Sequence, residues 1–308
     1  MSIAQHAIGC DISKAWLDLF ESKTARSARC PNTAAGIKAF LATLPAGTTI
    51  VFEATGPYDT ELRKQIDAAG LKAIRVNPSR ARDYARAAGY LAKTYRIDAR
   101  MLASLPDALA CEAAPPYDAQ REALVSLHRR RDQLVEMRAM ERARTADEPN
   151  ARVRESLERH TVFLDAEIKV IEAQIEAMLA EPTFQPIADI LRTVKGVGPV
   201  TIATLVALMP ELGHRSAKTI AALAGLAPFN RDSGKMRGQR QIRGGRTRVR
   251  RALYMAALGV IRTNPRFKAH YQAIKQRSGK AKIAIVAVAR KLLVTLNAMV
   301  KTREPFRA

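Results

Sequence analysis

The stretch HAIGCDISKAWLDLFES, residues 6–22, decides the fold of the first hundred residues. It contains two apolar runs on either side of the short polar segment Ser13–Lys14, which is the pattern of two strands joined by a turn. The run TTIVFEAT at 48–55 predicts a buried strand, and residues 24–30 and 71–76 are two further candidates. Together these segments predict a central mixed sheet.

Helix signals alternate with these strand signals. Asn32 or Thr33 can cap a helix that reaches Leu44, and a second helix is expected from about Tyr58 to Ala69. Pro78 is placed to open another, because proline is tolerated in the first turn of a helix. Alternating strands and helices of this kind predict an α/β domain to about residue 118.

From residue 119 the apolar spacing becomes helical. One set of apolar side chains recurs at heptad spacing, the pattern of a coiled coil: Val153, Leu157, Leu164, Ile168, Ile171, Ile175 and Met178. This seam fits either a helical hairpin folded on its own chain or a coiled coil between two chains, and we favour self-association. The sequence therefore predicts a helical, coiled-coil connector over residues 119–182, followed by a third domain over 183–308.

The third domain opens with a pattern typical of a helix-hairpin-helix. Residues 187–212, IADILRTVKGVGPVTIATLVALMPEL, are two apolar helical segments around a G-V-G-P turn. Glycines let the backbone turn sharply, and free N–H groups at the start of the second helix can hold a phosphate. Any helical hairpin can use glycine in this way, but the surrounding positive charge favours phosphate binding by Lys195, Gly196 and Gly198.

Positive charge is confined to the end of the chain. Residues 1–189 carry 26 basic and 26 acidic side chains, whereas residues 190–308 carry 25 basic and 3 acidic ones, so the formal net charge of +22 comes from the last third. A globular segment of this charge is expected to bind a polyanion. Nucleic acid is favoured over a membrane surface, because the cations alternate with glycines and turn residues and form no stripe along a helix.

Other broad classes of protein are not expected. The 3 cysteines form no C-x-x-C pair, so neither a disulfide framework nor a zinc site is predicted. No uninterrupted apolar run approaches the roughly 20 residues needed to span a bilayer, and the first residues lack the pattern of a secretory signal. We expect a reduced, cytoplasmic protein with no membrane partner.

Two groups of residues are candidates for a catalytic or binding site. Asp11 and Glu53 end neighbouring strands, and Asp98 lies in a helical segment; such carboxylates can converge on one Mg²⁺ ion, although each alone is more often a cap or a surface acid. The second is FNRDSGKMRGQRQIRGGRTRVRR at 229–251, where Ser233 is surrounded by cations. Taken by itself, Ser233 fits an ordinary turn. The candidate phosphate-binding cations are Arg231, Lys235, Arg237, Arg243, Arg246 and Arg248.

Six short motifs together resemble one family over essentially the whole chain. They are G-C-D-I-S-K (9–14), F-E-A-T-G (52–56), A-K-T-Y-R-I-D-A-R (92–100), G-V-G-P (196–199), A-G-L-A-P (224–228) and D-S-G-K (232–235). The sequence resembles the DEDD-type transposases of bacterial insertion sequences and the related Piv-type DNA invertases.

The resemblance implies a RuvC-like, ribonuclease H-like first domain with an acidic tetrad that holds Mg²⁺. Its positions here are Asp11, Glu53, Tyr95 and Asp98. Tyr95 departs from the acidic pattern, and a neutral phenol is a poor Mg²⁺ ligand. The resemblance also implies that Ser233 attacks the DNA backbone and forms a covalent phosphoserine link.

The same resemblance implies the partners of the chain. A structured noncoding guide RNA would pair with donor and target DNA, and the acidic site of one protomer would meet the serine of another within a dimer or tetramer. Two alternatives stay open at this point. One is a nucleic-acid-binding protein whose acidic site is impaired by Tyr95. The other is an actin-like phosphotransferase, which would leave the basic last third unexplained.

Overall fold

The computed structural model describes residues 6–54, 56–90, 94–230 and 241–307. The chain divides into two compact units, Met1–Asp118 and Ala119–Ala308. Residues 119–182, which the sequence separates as a connector, lie in the same compact unit as the basic segment that follows them.

The first unit is built on a five-stranded mixed sheet. Its strands are β1 (Ala7–Ile12), β2 (Trp16–Glu21), β3 (Arg26–Pro31), β4 (Thr49–Glu53) and β5 (Lys72–Val76), in the order β3-β2-β1-β4-β5. The pairs β1–β2 and β2–β3 are antiparallel, whereas β1–β4 and β4–β5 are parallel. The mixed sheet predicted from the apolar runs is confirmed.

Helices cover both faces of this sheet. They are α1 (Ala34–Leu41), α2 (Thr60–Ala68), α3 (Pro78–Ala87) and α4 (Tyr95–Ala108). Thr33 caps α1 as expected, by accepting a hydrogen bond from the Gly36 amide, but the helix ends before Leu44. One apolar core lies between the sheet and α1 and α2, and a second lies between the sheet and α3 and α4.

Helix α4 rests directly on the backbone of β1. A Cβ atom at Gly9 would lie 1.9 Å from the carbonyl oxygen of Ala99 and 2.5 Å from the amide nitrogen of Ala103. Only glycine permits this approach, because any side chain would occupy the space of the helix backbone. The contact holds the first half of α4 against β1, whose last residue, Ile12, lies three residues beyond Gly9.

The second unit is almost entirely helical. Its helices are α5 (Ala119–Asp147), α6 (Ala151–Leu179), α7 (Gln185–Arg192), α8 (Pro199–Leu208), α9 (Ala217–Leu223), α10 (Thr247–Thr263), α11 (Pro265–Ser278) and α12 (Ala281–Thr302), with a short ladder of β6 (Pro228–Phe229) and β7 (Gln241–Ile242). Within the described ranges, α12 has the length and hydropathy of a membrane span. Its inner face is buried in the core of the unit, including Val288, Leu292 and Leu296, as expected of a core helix.

The heptad seam packs inside the chain. Leu164 and Ile168 of α6 form a buried cluster with Leu134 of α5, and Ile175 joins the main core of the unit. From Leu164 onward, the seam therefore packs within its own chain. The prediction that these residues join two chains is wrong. A repeat of apolar positions specifies that a partner helix exists, but it does not specify which chain supplies the helix.

Candidate active site and nucleic-acid interface

The three predicted carboxylates lie at one end of the sheet. Asp11 follows Gly9 on β1, Glu53 ends the parallel neighbour β4, and Asp98 lies in the first turn of α4. The pKa of Asp11 is raised to about 6, first by burial and then by the negative charges of Asp98, Asp18 and Glu53. Each of these acids thus lies close enough to disfavour ionisation of Asp11.

Asp18 is a neighbour of the site that sequence reasoning missed. It lies opposite Asp11 in the β1–β2 register and is 8% exposed. Its two carboxylate oxygens accept hydrogen bonds from Arg29 of β3, at 2.9 and 3.1 Å. The available signal was a single acid between Leu17 and Leu19 in an apolar strand, but only the strand register brings it to Asp11.

Tyr95 begins α4 and lies at the surface. Its side chain is 60% exposed, and it precedes by one turn the Ala99 carbonyl that meets Gly9. The pKa of Arg29 is raised, first by the hydrogen bond and the charge of Asp18 and to a smaller extent by Tyr95. The phenol is therefore a neighbour of the Asp18–Arg29 pair at the edge of the acidic group.

A divalent cation fits this end of the sheet by charge and ligand type. Carboxylates are preferred Mg²⁺ ligands, and a cation would offset the negative charges that, after burial, raise the pKa of Asp11. Among the residues that the structure describes, no three His, Cys, Asp or Glu side chains form a ready group for one metal ion. The residues that would hold it are Asp11, Glu53 and Asp98.

The G-V-G-P turn joins α7 to α8 as a tight hairpin. Gly196 has a φ of +99°, and a Cβ atom there would lie 2.7 Å from the carbonyl carbon of Gly259 and from the amide nitrogen of Val260. This glycine is thus required for the left-handed turn and for packing on α10. By contrast, Gly198 borders open space, and Lys195 beside the turn is exposed.

The candidate phosphate-binding cations have different surroundings. Arg243 is exposed, whereas Arg246 makes two ion-pair contacts of 2.6 Å to the carboxylate of Glu211. Arg248 lies 3.5 Å from Asp132 of α5. Arg246 thus has a structural partner that the sequence did not indicate, and its contact with phosphate stays a prediction. Ser233, Arg231, Lys235 and Arg237 lie outside the described residues.

Two family models match the chain, one before and one after helix α6. Residues 8–147 match the DEDD transposase model named for IS110, and residues 188–272 match the model described as the transposase IS116/IS110/IS902 family. The chain belongs to the IS116/IS110/IS902 transposase family. The DEDD domain of these transposases is ribonuclease H-like and implies a divalent metal ion, in agreement with the mixed sheet and its acidic edge.

Individual relatives of this transposase extend the match. It is 28% identical to the pilin gene-inverting protein of Moraxella bovis over 265 residues, which cover 83% of this chain and 81% of that protein. An uncharacterized 42 kDa protein of insertion element IS900 from Mycobacterium paratuberculosis is 32% identical over 148 residues, or 47% of this chain and 36% of that protein. An uncharacterized 43.6 kDa protein of IS110 from Streptomyces coelicolor is 29% identical over 135 residues, or 43% and 33%.

Proposed function

We propose that this transposase is a DNA recombinase of a bacterial insertion sequence that cuts and rejoins DNA through a phosphoserine at Ser233. The observation that carries the proposal is the group of acids at Asp11, where burial first and then the charges of Asp98, Asp18 and Glu53 raise the pKa of the Asp11 carboxyl, as is common at functional sites. Family membership supports the same reaction class.

In the proposed reaction, the DNA phosphate is transferred to the serine oxygen and later back to a DNA strand. The Ser233 hydroxyl attacks the phosphorus, a new P–O bond forms, and the bond from phosphorus to the leaving sugar oxygen breaks. The serine proton passes to a carboxylate or a bound water, and the leaving oxygen takes up a proton. When bound at Asp11, Glu53 and Asp98, Mg²⁺ would withdraw charge from the phosphate oxygens. The reverse sequence rejoins the strand and restores the hydroxyl.

The proposed substrates are donor and target DNA, selected by pairing with a structured guide RNA. The concentration of cations in residues 190–308 supports backbone binding, with Lys195, Gly198 and Arg243 as exposed contacts. Base pairing would then supply sequence selection, while the protein recognises backbone and shape. This activity places the protein in the bacterial cytoplasm, at the nucleoid.

Strand exchange needs several cuts in one complex, so we propose a dimer or tetramer. From Leu164 onward, the heptad seam of α6 packs within its own chain. The outer face of α6 carries a second apolar stripe at spacings of three and four residues. It consists of Phe163, Ala166, Val170, Ala173 and Ala177, all exposed. A helix with the same repeat is the natural partner of such a stripe, and a second copy of this chain supplies one.

A second function rests on Tyr95. This position supplies a phenol in place of a carboxylate, and a phenol is a poor Mg²⁺ ligand. A chain with an impaired metal site would bind nucleic acid without cutting it. The two functions differ in one product, the covalent protein–DNA adduct.

Trapping that adduct tests both functions. With guide RNA, Mg²⁺ and labelled DNA, the parent chain is expected to give an adduct that Ser233→Ala abolishes, while DNA binding persists. Ser126→Ala, at an exposed serine of α5, is the matched control and should keep the adduct. Absence of an adduct from the parent and its appearance in Tyr95→Asp would establish an impaired copy. Absence from both, with DNA binding intact, would reject the recombinase.

A further inference from the structure

A cavity of about 310 Å³ lies between α11, α12 and the chain that follows α12. Its volume is within the range of about 300–1,000 Å³ typical of small-molecule sites. The described residues that line the cavity all belong to the second unit, whereas the acidic group lies in the first.

The lining combines cations with an aromatic ring. Arg266, Lys291 and Arg307 contribute positive charge, and Glu304 contributes one carboxylate, which pairs with Arg307 at 3.0 Å. Lys291 also helps to lower the pKa of His270, after burial and together with Arg277, so the surroundings of the cavity are electropositive. A ligand with negative charge is favoured here.

The aromatic part of the lining is Phe306, which is held in place by its neighbours. Its ring stacks on buried Phe267 with centroids 6.3 Å apart and planes 20° from parallel. Its amide donates a hydrogen bond to the Thr193 hydroxyl at 3.0 Å. The ring remains partly exposed and lines the cavity. It therefore offers a fixed apolar surface against which a planar group can lie.

Hydrogen bonds link the lining of the cavity to residues beside the G-V-G-P turn. Thr193, which binds the Phe306 amide, is two residues before Lys195, and the Lys195 carbonyl accepts a hydrogen bond from Thr263 at 2.8 Å. Arg266 lies three residues beyond Thr263, at the start of α11. A strand whose phosphates contact the exposed turn can therefore reach the cavity within the same helical unit.

We propose that this cavity binds one unpaired nucleotide of a single-stranded nucleic acid, with its base against Phe306 and its phosphate at Arg266 and Lys291. A base in a duplex is stacked on both sides and has no free face, whereas an unpaired base can stack on an aromatic side chain. The hydroxyls of Thr295 and Thr302 in the lining offer hydrogen bonds to the base or the sugar. The proposal rests on the nucleic-acid function above and adds a recognition site to it.

The test measures binding of the full-length chain to fluorescein-labelled dT12, rU12 and a 12-base-pair DNA duplex. Phe306→Leu is expected to weaken binding of at least one single strand by about fivefold or more, the usual effect of losing a stacked base. Phe306→Tyr should restore it because the ring is kept, and duplex binding should stay unchanged. Thermal unfolding of each variant checks that the packing on Phe267 is retained.

Salt dependence tests the charged half of the site. Lys291→Ala should reduce the slope of log affinity against log salt by about 0.7 for the bound single strand, the value for one lost phosphate contact. Lys218→Ala, at an exposed lysine of α9 outside the cavity, is the matched control. The comparison of dT12 with rU12 identifies DNA or RNA as the ligand.

The binding data distinguish failure of the nucleic-acid function from failure of the cavity site. If the parent chain binds none of the three probes, the nucleic-acid function and the cavity site both fail. If the parent binds single strands but Phe306→Leu and Lys291→Ala bind them equally well, only the cavity site is overturned. The cavity site is also overturned if these variants lose as much affinity for the duplex as for single strands, because binding would then not require an unpaired base.

Discussion

Replacing Asp11 by Asn is expected to stabilise the first unit while removing strand cleavage. The pKa of Asp11 rises from its ordinary value of 3.8 to about 6, through burial and then the charges of Asp98, Asp18 and Glu53. The folded state therefore holds a proton that the unfolded chain releases, and stability falls as pH rises from about 4 to 6. Asparagine removes the charge that causes this loss.

The size of the effect follows from the same pKa. One pKa unit corresponds to ~1.4 kcal/mol, so a shift from 3.8 to about 6 would correspond to about 3 kcal/mol at neutral pH without solvent screening. Because the side chain is only partly buried, solvent screening reduces the expected gain to about 1–2 kcal/mol. The gain should be complete at pH 7.5 and absent at pH 4.

Urea unfolding followed by tryptophan fluorescence measures this gain. Trp16 is the single tryptophan of the chain and lies on β2, so its fluorescence reports on the unit that contains Asp11. Added Mg²⁺ should offset most of this difference in stability, because it stabilises the parent by about 1.4 kcal/mol at ten times its Kd and should bind the variant more weakly.

Asp67→Asn is the control, since Asp67 is an exposed acid of α2 outside the acidic group. It should change stability by less than about 0.5 kcal/mol at either pH. The reasoning is refuted if Asp11→Asn is no more stable than the parent at pH 7.5, or if its gain is the same at pH 4.

Three further predictions concern the second unit. Gly196→Ala should lower the free energy of unfolding by at least about 2 kcal/mol, because its Cβ would meet the backbone of α10, whereas Gly198→Ala should fold normally; urea unfolding compares them. Burial raises the pKa of Glu211, but its arginine partner outweighs this and lowers it, so Glu211→Gln should cost about 1–2 kcal/mol at pH 7 and progressively less only as pH falls below the ordinary pKa of 4.5 in thermal unfolding. Val170→Glu should shift the oligomer to monomer in light scattering, while Met255→Glu, an exposed control on α10, should not; an unchanged mass would exclude the α6 stripe as the contact.

The sequence predicts local features of this fold well. Apolar runs bounded by turn residues give the strands, and Thr33 gives the start of α1. The sequence also indicates that Asp11 and Glu53 end strands of one mixed sheet, and carboxylates that end neighbouring strands can converge on one ion. This is why Asp11 and Glu53 could be placed near each other without coordinates.

Contacts between distant residues escape such reasoning. The approach of Asp18 to Asp11 depends on strand register, and the pairing of Arg246 with Glu211 joins residues 35 apart in the chain. In the same way, a G-V-G-P turn indicates bending but does not reveal that Gly196 packs against Gly259. Local patterns specify which elements form, whereas long-range packing decides which of their polar groups are left for function.

The contact of α4 with Gly9 acts as a spacer of fixed length. Because backbone meets backbone there, the separation of Asp11 from Asp98 is set by atoms common to every residue, and the surrounding apolar side chains have little influence on it. Those side chains can be exchanged during divergence without displacing the acids, as long as Gly9, Ala99 and Ala103 remain small. A separation fixed at these three positions can persist while the apolar residues around them change.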